Sequence, residues 1–354
     1  MTKPDNTLHR YRLPAEWEEQ DFVQLTWPHG ETDWKPILCE ITTTYISLAI
    51  EIARRQPLVI VSPFPNEIKN YMRHATTKDV TDRIHYVTCP SDDTWARDHA
   101  FITLTNGSDC RLLDFRFNGW GDKFEAAKDN AINRHLYDTG LLHGTYESHL
   151  DFVLEGGAIE SDGRGTLFTT SPCLLAPHRN QPMTRTEIEK YLIDTLQVDR
   201  VVWIDHGSLI GDDTDGHIDT LVRIAPDDTL LYMAPDDHDD EQYTELHLME
   251  EQLRTLRTAD GRPYRLLPLP SPRPIIRNGE RLPATYANFL VINGAVLVPT
   301  YGQPDLDAAA MDTIGKAFPD REIVGLDCSY VIIQHGSLHC CTMQYPKGTL
   351  SNGK

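Results

Sequence analysis

Apolar residues along the chain fall into short runs that end in polar turn residues, and this arrangement recurs. Segment 20–28 (QDFVQLTWP) is a short apolar strand closed by Trp27 and Pro28. Segment 97–115 reads as two strands around an Asn106-Gly107 turn, and 155–172 repeats the plan around Asp162-Gly163. Segments 217–235 and 286–299 repeat it again, with Pro226-Asp227-Asp228 and Asn293-Gly294 at their turns. Asn-Gly and Asp-Gly suit tight hairpins because they tolerate positive φ. Between the hairpins, 34–55, 124–140, 184–197, 239–261 and 306–319 carry apolar residues at helical spacing, with Thr184 placed as a cap and Gly140 as a stop. The proline-rich 267–274 (LPLPSPRP) predicts an extended loop.

The markers Asp98, Glu155, His217 and Asn288 follow one another at 57, 62 and 71 residues. The strand near residue 21 opens a fifth unit, and 338–346 is expected to return and complete it. A small sheet with one helix cannot bury both its faces, so neighbouring units must close the core. A closed ring would also remove open sheet edges. The expectation is therefore an α/β fold built as a five-bladed α/β propeller of pseudo-fivefold ββαβ-like units. It would form one domain over 1–354, with flexible ends about 1–10 and 347–354. The alternative is an open α/β sandwich with ordinary hairpins.

The polar clusters sit at one phase of these units. Residues 92–98 (DDTWARD), Glu155-Gly156-Gly157, residues 211–219 (GDDTDGHID) and residues 335–341 (HGSLHCC) each precede a strand. In a ring that phase faces a common axis, where carboxylates, a histidine and a cysteine would converge.

Composition narrows the partner. The 354 residues are 40% hydrophobic and 24% charged, which excludes a disordered chain. With 33 basic and 53 acidic residues the formal charge is −20. Nucleic acid and an anionic membrane are disfavoured partners, and a small cation is favoured. The seven cysteines include no CxxC pair, which fits neither a disulfide framework nor a zinc ribbon. No apolar leader stands at the N-terminus, so a reducing cytoplasmic setting is expected. A homodimer is expected only on the general frequency of symmetric dimers.

The acidic run at 211–219 fails an EF-hand register, because position 12 would be Val222. His335 and His339 lack the neighbouring glutamate of a helical zinc site, and neither His-Gly-Ser is a nucleophile elbow. No metal or organic cofactor is expected. What is left is a thiol, a histidine and several carboxylates. Cysteine is the strongest nucleophile among side chains. Paired carboxylates match a guanidinium, a planar cation with several N–H donors. The implied chemistry is thiolate attack on the guanidinium carbon, loss of ammonia, and hydrolysis of the thiouronium, with one histidine acting as acid and then base. Surrounding carboxylates should raise the pKa of the free thiol, and the bound cation should offset them.

Residues 27–29 (WPH), 92–98, 117–124 (FNGWGDKF), Glu155-Gly156-Gly157, 211–219 and 339–346 (HCCTMQYP) together resemble the agmatine deiminase and bacterial peptidylarginine deiminase family of the guanidino-group-modifying superfamily. The resemblance implies a pentein-type five-bladed propeller. It implies Cys340 as nucleophile, His217 as acid/base, Asp98 and Asp219 as guanidinium-binding carboxylates, and Glu155 beside the histidine. Strand alternation leaves Cys341 and His339 facing away from the centre, in packing or supporting roles. Trp95 and Trp120 are candidate walls for a substrate's methylenes, with Trp27 a third. Asp213 is a candidate for a substrate amine, and the loop around Trp120 for a lid over the entrance. The segment before the nucleophile departs from the glycine-rich pattern of agmatine deiminases. The expected substrate is agmatine. Free or peptidyl arginine is the alternative, and would call for a cation near the entrance, with Arg97, Arg116 and Arg223 available. An amidinotransferase and a non-catalytic guanidine-binding protein are the remaining readings.

Overall fold

The computed structural model describes residues 10–234 and 237–351. Within them, five mixed sheets repeat one plan. In four of them, two consecutive strands pair antiparallel, and a strand reached through a helical crossover adds parallel to the second. Ile102–Thr105 pairs antiparallel with Cys110–Arg116, which pairs parallel with Thr145–Val153. Ile159–Ser161, Thr166–Thr170 and Arg200–Ile204 repeat this, as do Val222–Ala225, Thr229–Met233 and Arg265–Leu269. Leu290–Ile292, Ala295–Thr300 and Glu322–Asp327 form the fourth copy. The remaining sheet joins the two ends of the chain. Thr342–Pro346 returns antiparallel to Gln20–Thr26, which continues parallel to Leu58–Ser62 and then Ile84–Thr88. None of the sheets closes on itself.

The hairpin turns follow their chemistry. Ala225 pairs with Thr229, and within the three-residue loop Pro226-Asp227-Asp228 between them both aspartates adopt positive φ. The crossover helices run Leu38–Ala53, Ala127–Asp138, Arg185–Leu196, Tyr243–Thr255 and Pro304–Ala317, inside the expected spans or within two residues of them. Thr184 caps its helix through a full capping box with Glu187. The inner strands Leu58–Ser62, Thr166–Thr170, Thr229–Met233 and Ala295–Thr300 are buried along almost their whole length because both their faces are covered, whereas the edge strand Thr145–Val153 is exposed or half-buried over most of its length.

Two expectations need correction. The proline-rich stretch is a strand at its start: Arg265–Leu269 pairs parallel with Thr229–Met233. It is an edge strand, and Pro268, which has no N–H to donate, is tolerated there. The tail after residue 346 is not free through Ser351. Leu142 bridges Leu350, His143 N–H donates to Thr349 O at 2.7 Å, and Thr349 is fully buried. Residues 1–9 and 352–354 of the expected flexible ends lie outside the described residues.

Candidate active site

Each of the five repeats presents a polar side chain just before the first strand of its hairpin. Asp98 lies in the short turn Ala96–His99, Glu155 precedes Gly156–Ala158, and His217 and Asp219 frame the turn Ile218–Thr220. Asn288 precedes Leu290–Ile292, and Cys340 precedes Thr342–Pro346. All six are buried. The markers read from the sequence thus converge, Asn288 included.

Asp98 is held from two sides. Trp120 Nε1–H donates to Oδ2 at 3.0 Å and Gly157 N–H to Oδ1 at 3.1 Å, while His217 Nδ1 stands 3.7 Å from Oδ1. Gly157 has to be glycine: a Cβ there would sit 2.6 Å from His217 Nδ1 and 2.9 Å from Asp98 Oδ1. Cys340 Sγ lies 3.4 Å from Asn288 Oδ1 and 3.8 Å from Asp219 Oδ2. Asn288 joins the two, because its Nδ2–H donates to Asp219 Oδ2 at 3.2 Å. Three buried polar atoms in this cluster have no hydrogen-bond partner: Nδ1 and Nε2 of His217, and Oδ1 of Asp219. Unsatisfied buried groups are costly, and their convergence marks a place for a polar ligand.

The electrostatics fit a cation. Burial, reinforced by Asp219 and Glu155, pushes Asp98 up to about 6. Burial opposes charge on His217, but Asp98, Cys173 and Glu155 carry its pKa to about 10. Burial and then Asp219 and Asp98 push the Cys340 thiol well above its ordinary value. Burial works against Asp219 as well, yet His339, His217 and Arg223 hold it below the usual carboxylate range. A cation entering this cluster would lower the thiol and secure both aspartates.

Above Cys340 opens a cavity of about 170 Å³. Asp33, Asp93, Asp98, Asp213 and His335 line it, Trp95, Trp120 and Phe124 wall it, and no lysine or arginine is among the described residues that line it. Trp95 and Trp120 meet edge to face at 6.4 Å. Gly336 makes room for Trp95, since a Cβ would come within 2.2 Å of its ring. Gly119, Trp120, Gly121 and Asp122 all take positive φ, an unusual run for two non-glycine residues. This loop is fastened by Asn118, which accepts from Gly121 N–H and donates to His178 O, and by Lys123, which donates to Asp213 O and Asp215.

Several expected placements differ. Trp27 is not a wall; it is buried edge-on against Tyr45. Residues 338–341 form a turn, with Thr342 N–H bonded to His339 O, so strand alternation does not apply there. His339 consequently faces Asp219, with Nδ1 at 2.7 Å from Oδ2. Cys341 does point elsewhere, its Sγ reaching Ser337 O at 3.4 Å. Arg97 and Arg223 are consumed in buried ion pairs with Glu16 and Glu160, and Arg116 is exposed away from the cavity.

Two clusters have the donor types of a metal site: Glu155 with Cys173 and His217, and Glu16 with Glu160 and His339. A guanidinium already occupies the carboxylates of each, Arg179 on Glu155 and Arg223 on Glu16 and Glu160. The acidic loop 211–216 is likewise spent locally. Asp212 accepts from Thr214 and Gly216 N–H groups, and Asp215 pairs with Lys123 and Arg179. Arg179 is the functional neighbour that sequence reasoning missed. It is fully buried, with Nε on Glu155 and NH2 on Thr214 O at 2.7 Å, and it sits in an unpatterned loop.

The Porphyromonas-type peptidyl-arginine deiminase family model matches residues 12–346. The chain belongs to this family. Agmatine deiminase of Pseudomonas putida is 32% identical over 95% of each chain. A candidate arginine deiminase from Porphyromonas gingivalis superposes with a TM-score of 0.91 at 47% identity, covering 97% of this chain and all of that one. The agmatine deiminase of C. jejuni, solved with substrate bound, has a TM-score of 0.88 at 34% identity, over 96% of this chain and 97% of that one. The α/β fold is therefore that of the deiminases, and the segments that carry the resemblance, apart from 27–29, contribute side chains to the cluster or its cavity.

Proposed function

We propose that this protein hydrolyses agmatine to N-carbamoylputrescine and ammonia. The observation that carries the substrate choice is the cavity above Cys340, which presents four aspartates and a single histidine, His335, with no lysine or arginine among the described residues that line it. Agmatine has a positive charge at each end and an apolar spacer, whereas arginine would bring its carboxylate toward Asp33 and Asp213. The agmatine deiminases among the relatives support the same reading.

In this reading Asp98 and the free Oδ1 of Asp219 take the guanidinium N–H groups, Trp95 and Trp120 flank the methylenes, and Asp213 faces the distal ammonium. In the empty site the thiol is neutral and His217 is charged. The arriving dication displaces the thiol proton to solvent. The Cys340 thiolate then adds to the guanidinium carbon, and the His217 imidazolium protonates one nitrogen, which leaves as ammonia. The resulting neutral imidazole takes a proton from water, whose oxygen attacks the thiouronium. Collapse expels the thiolate, the hydroxyl proton passes to solvent, and the ureido product leaves with His217 again an imidazolium; the thiolate takes a proton back from solvent as the site empties. Glu155, bound by Arg179, stands beside His217. The five repeated sheets, with a polar residue at the same phase of each, support a single five-bladed propeller domain around this site.

The test is incubation of purified protein with agmatine, free arginine and a peptide ending in arginine, followed by mass spectrometry. Conversion of agmatine by the wild type, and none by Cys340→Ala, is the expected result. Preferential conversion of either arginine substrate would overturn the choice of agmatine.

A further inference from the structure

The reaction above does not use the buried ionic network behind Asp219. His339 Nδ1 lies 2.7 Å from Asp219 Oδ2, and its Nε2 lies 2.7 Å from Glu16 Oε1. Glu16 also receives Arg97 at 3.0 Å and Arg223 at 2.5 Å, and Arg223 pairs in turn with Glu160. Arg223 NH2 stands 3.1 Å from the same Nε2. Backbone carbonyls of Ala287 and Phe289 take its other terminal nitrogen, and its guanidinium lies over the Phe289 ring. His339, Arg97, Arg223 and Glu160 are buried; Glu16 lines a separate cavity of about 90 Å³ on the side away from Cys340.

So much buried charge is weak evidence for stability, since well-packed apolar residues often serve as well. Its geometry points to another purpose. The two oxygens of Asp219 are treated differently. Oδ2 accepts from His339 and Asn288, and Oδ1 has no partner although the residue is fully inaccessible. A free carboxylate would rotate to share its donors between both oxygens. Here the imidazole cannot follow such a rotation, because Glu16 holds its opposite edge.

Resting on the reading of Asp219 as a guanidinium-binding carboxylate, we infer that His339, backed by Glu16, is a positioning residue that fixes Asp219 with Oδ1 turned toward the substrate. With Nδ1–H donating to Oδ2, Nε2 faces Arg223 and Glu16, which together set the ring plane from behind, and burial, Arg223 and Arg97 lower the imidazole's pKa. The network also sets charge. The groups around Asp219 are His339, His217, Arg223 and the thiol of Cys340, with Asp98 across the site. Burial alone would push its pKa up, and His339 is foremost among the groups that pull it down. Removing the imidazole leaves burial less opposed, so the carboxylate takes a proton at higher pH and loses its hold on a cation there.

The experiment uses guanidinium chloride at low millimolar concentration as probe, with Cys340→Ala as the non-reacting background. Calorimetry between pH 5 and 8 follows binding in that background and after adding His339→Ala, His339→Asn or Glu16→Gln. Losing one hydrogen bond to a charged group weakens an interaction roughly tenfold or more. The His339→Ala form is expected to bind at least that much more weakly and to need a higher pH. His339→Asn, whose amide restores a donor to Oδ2, is expected to recover most of the affinity. Glu16→Gln, at a partly exposed site, should lose a few-fold, and serves if the alanine variant fails to fold. Unchanged affinity and pH dependence in His339→Ala, or in Glu16→Gln if the former is unfolded, overturns the positioning role while leaving the reaction intact. A background that binds no guanidinium, with a wild type that converts no guanidine, overturns the functional reading and this inference with it.

Discussion

Trp120 Nε1 donates to Asp98 Oδ2 at 3.0 Å, although the two residues belong to opposite ends of a hairpin unit and the tryptophan sits at positive φ. The bond ties a cavity wall to a carboxylate that lines the same cavity. Removing the N–H while keeping most of the ring, as in Trp120→Phe, should lower kcat/KM roughly tenfold, the cost of one hydrogen bond to a charged group. The Tm should barely move. Steady-state kinetics with a melting curve checks this.

Asn288 spans Cys340 and Asp219, and both contacts depend on its being a neutral amide. Asn288→Asp would face the thiol with a further carboxylate and turn the donor to Asp219 into a repelling oxygen. A loss of roughly 100-fold or more in kcat is expected, against a smaller loss for Asn288→Ala. The pH at which iodoacetamide alkylates Cys340 should move upward in Asn288→Asp.

The empty wild type should itself alkylate slowly at neutral pH, because burial and the two aspartates hold the thiol well above its ordinary value. The rate should rise only on the alkaline side. A non-reactive diamine or guanidine in the cavity supplies positive charge beside the thiol, and should bring that rise to lower pH. A pH profile of inactivation with and without such a ligand tests it.

Arg179 is buried between Glu155 and Asp215. Arg179→Met would leave Glu155 as an unpaired buried charge, and breaking such a pair costs about 3–5 kcal/mol. A clear fall in Tm together with lost activity is expected. Trp120→Phe, in the adjoining loop, provides the contrast of lost activity at nearly constant Tm.

Asp129 accepts the backbone N–H groups of Asp92 and Asp93, and burial, with the charges of Asp93 and Asp92, pushes it to about 8. Its folded value lies above the unfolded value of about 3.9. The folded state therefore holds this proton where the unfolded state has lost it, and the associated stability falls as pH rises from about 4 to 8. Asp98, and Asp93, which burial pushes up to about 6, act in the same direction over a narrower window. Asp129→Asn keeps an acceptor for the two N–H groups and should flatten the decline of Tm with pH, as read by calorimetry across that range.

Much of this architecture is legible in the chain because it depends on local pattern. Asn293-Gly294 and Asp227-Asp228 announce their hairpins, and the polar residue before each hairpin repeats at a readable interval. Cys340 could be separated from Cys341 by register with the family. What is not legible depends on partners far apart in sequence. Arg179 meets Glu155 only after folding, and no periodicity marks it. His339 was misdirected because alternation was extended into residues that form a turn, where neighbouring side chains need not oppose. The strand at 265–269 hides behind its prolines, which an edge position tolerates. Leu350 and Thr349 are short apolar and polar residues near a chain end, and only their docking against Leu142 and His143 reveals that the segment is anchored.

The central claim is that Cys340 forms a covalent bond to the guanidinium carbon and that His217 then resolves it. Rapid acid quench of the wild type during turnover of agmatine, followed by mass spectrometry of the peptide containing Cys340, tests this most directly, because His217 serves both the formation and the hydrolysis of the adduct. An amidino adduct on Cys340, absent from Cys340→Ala, is the expected result. An unmodified Cys340 peptide in a wild-type quench that is nonetheless releasing ureido product, or an adduct carried by Cys341, would contradict it.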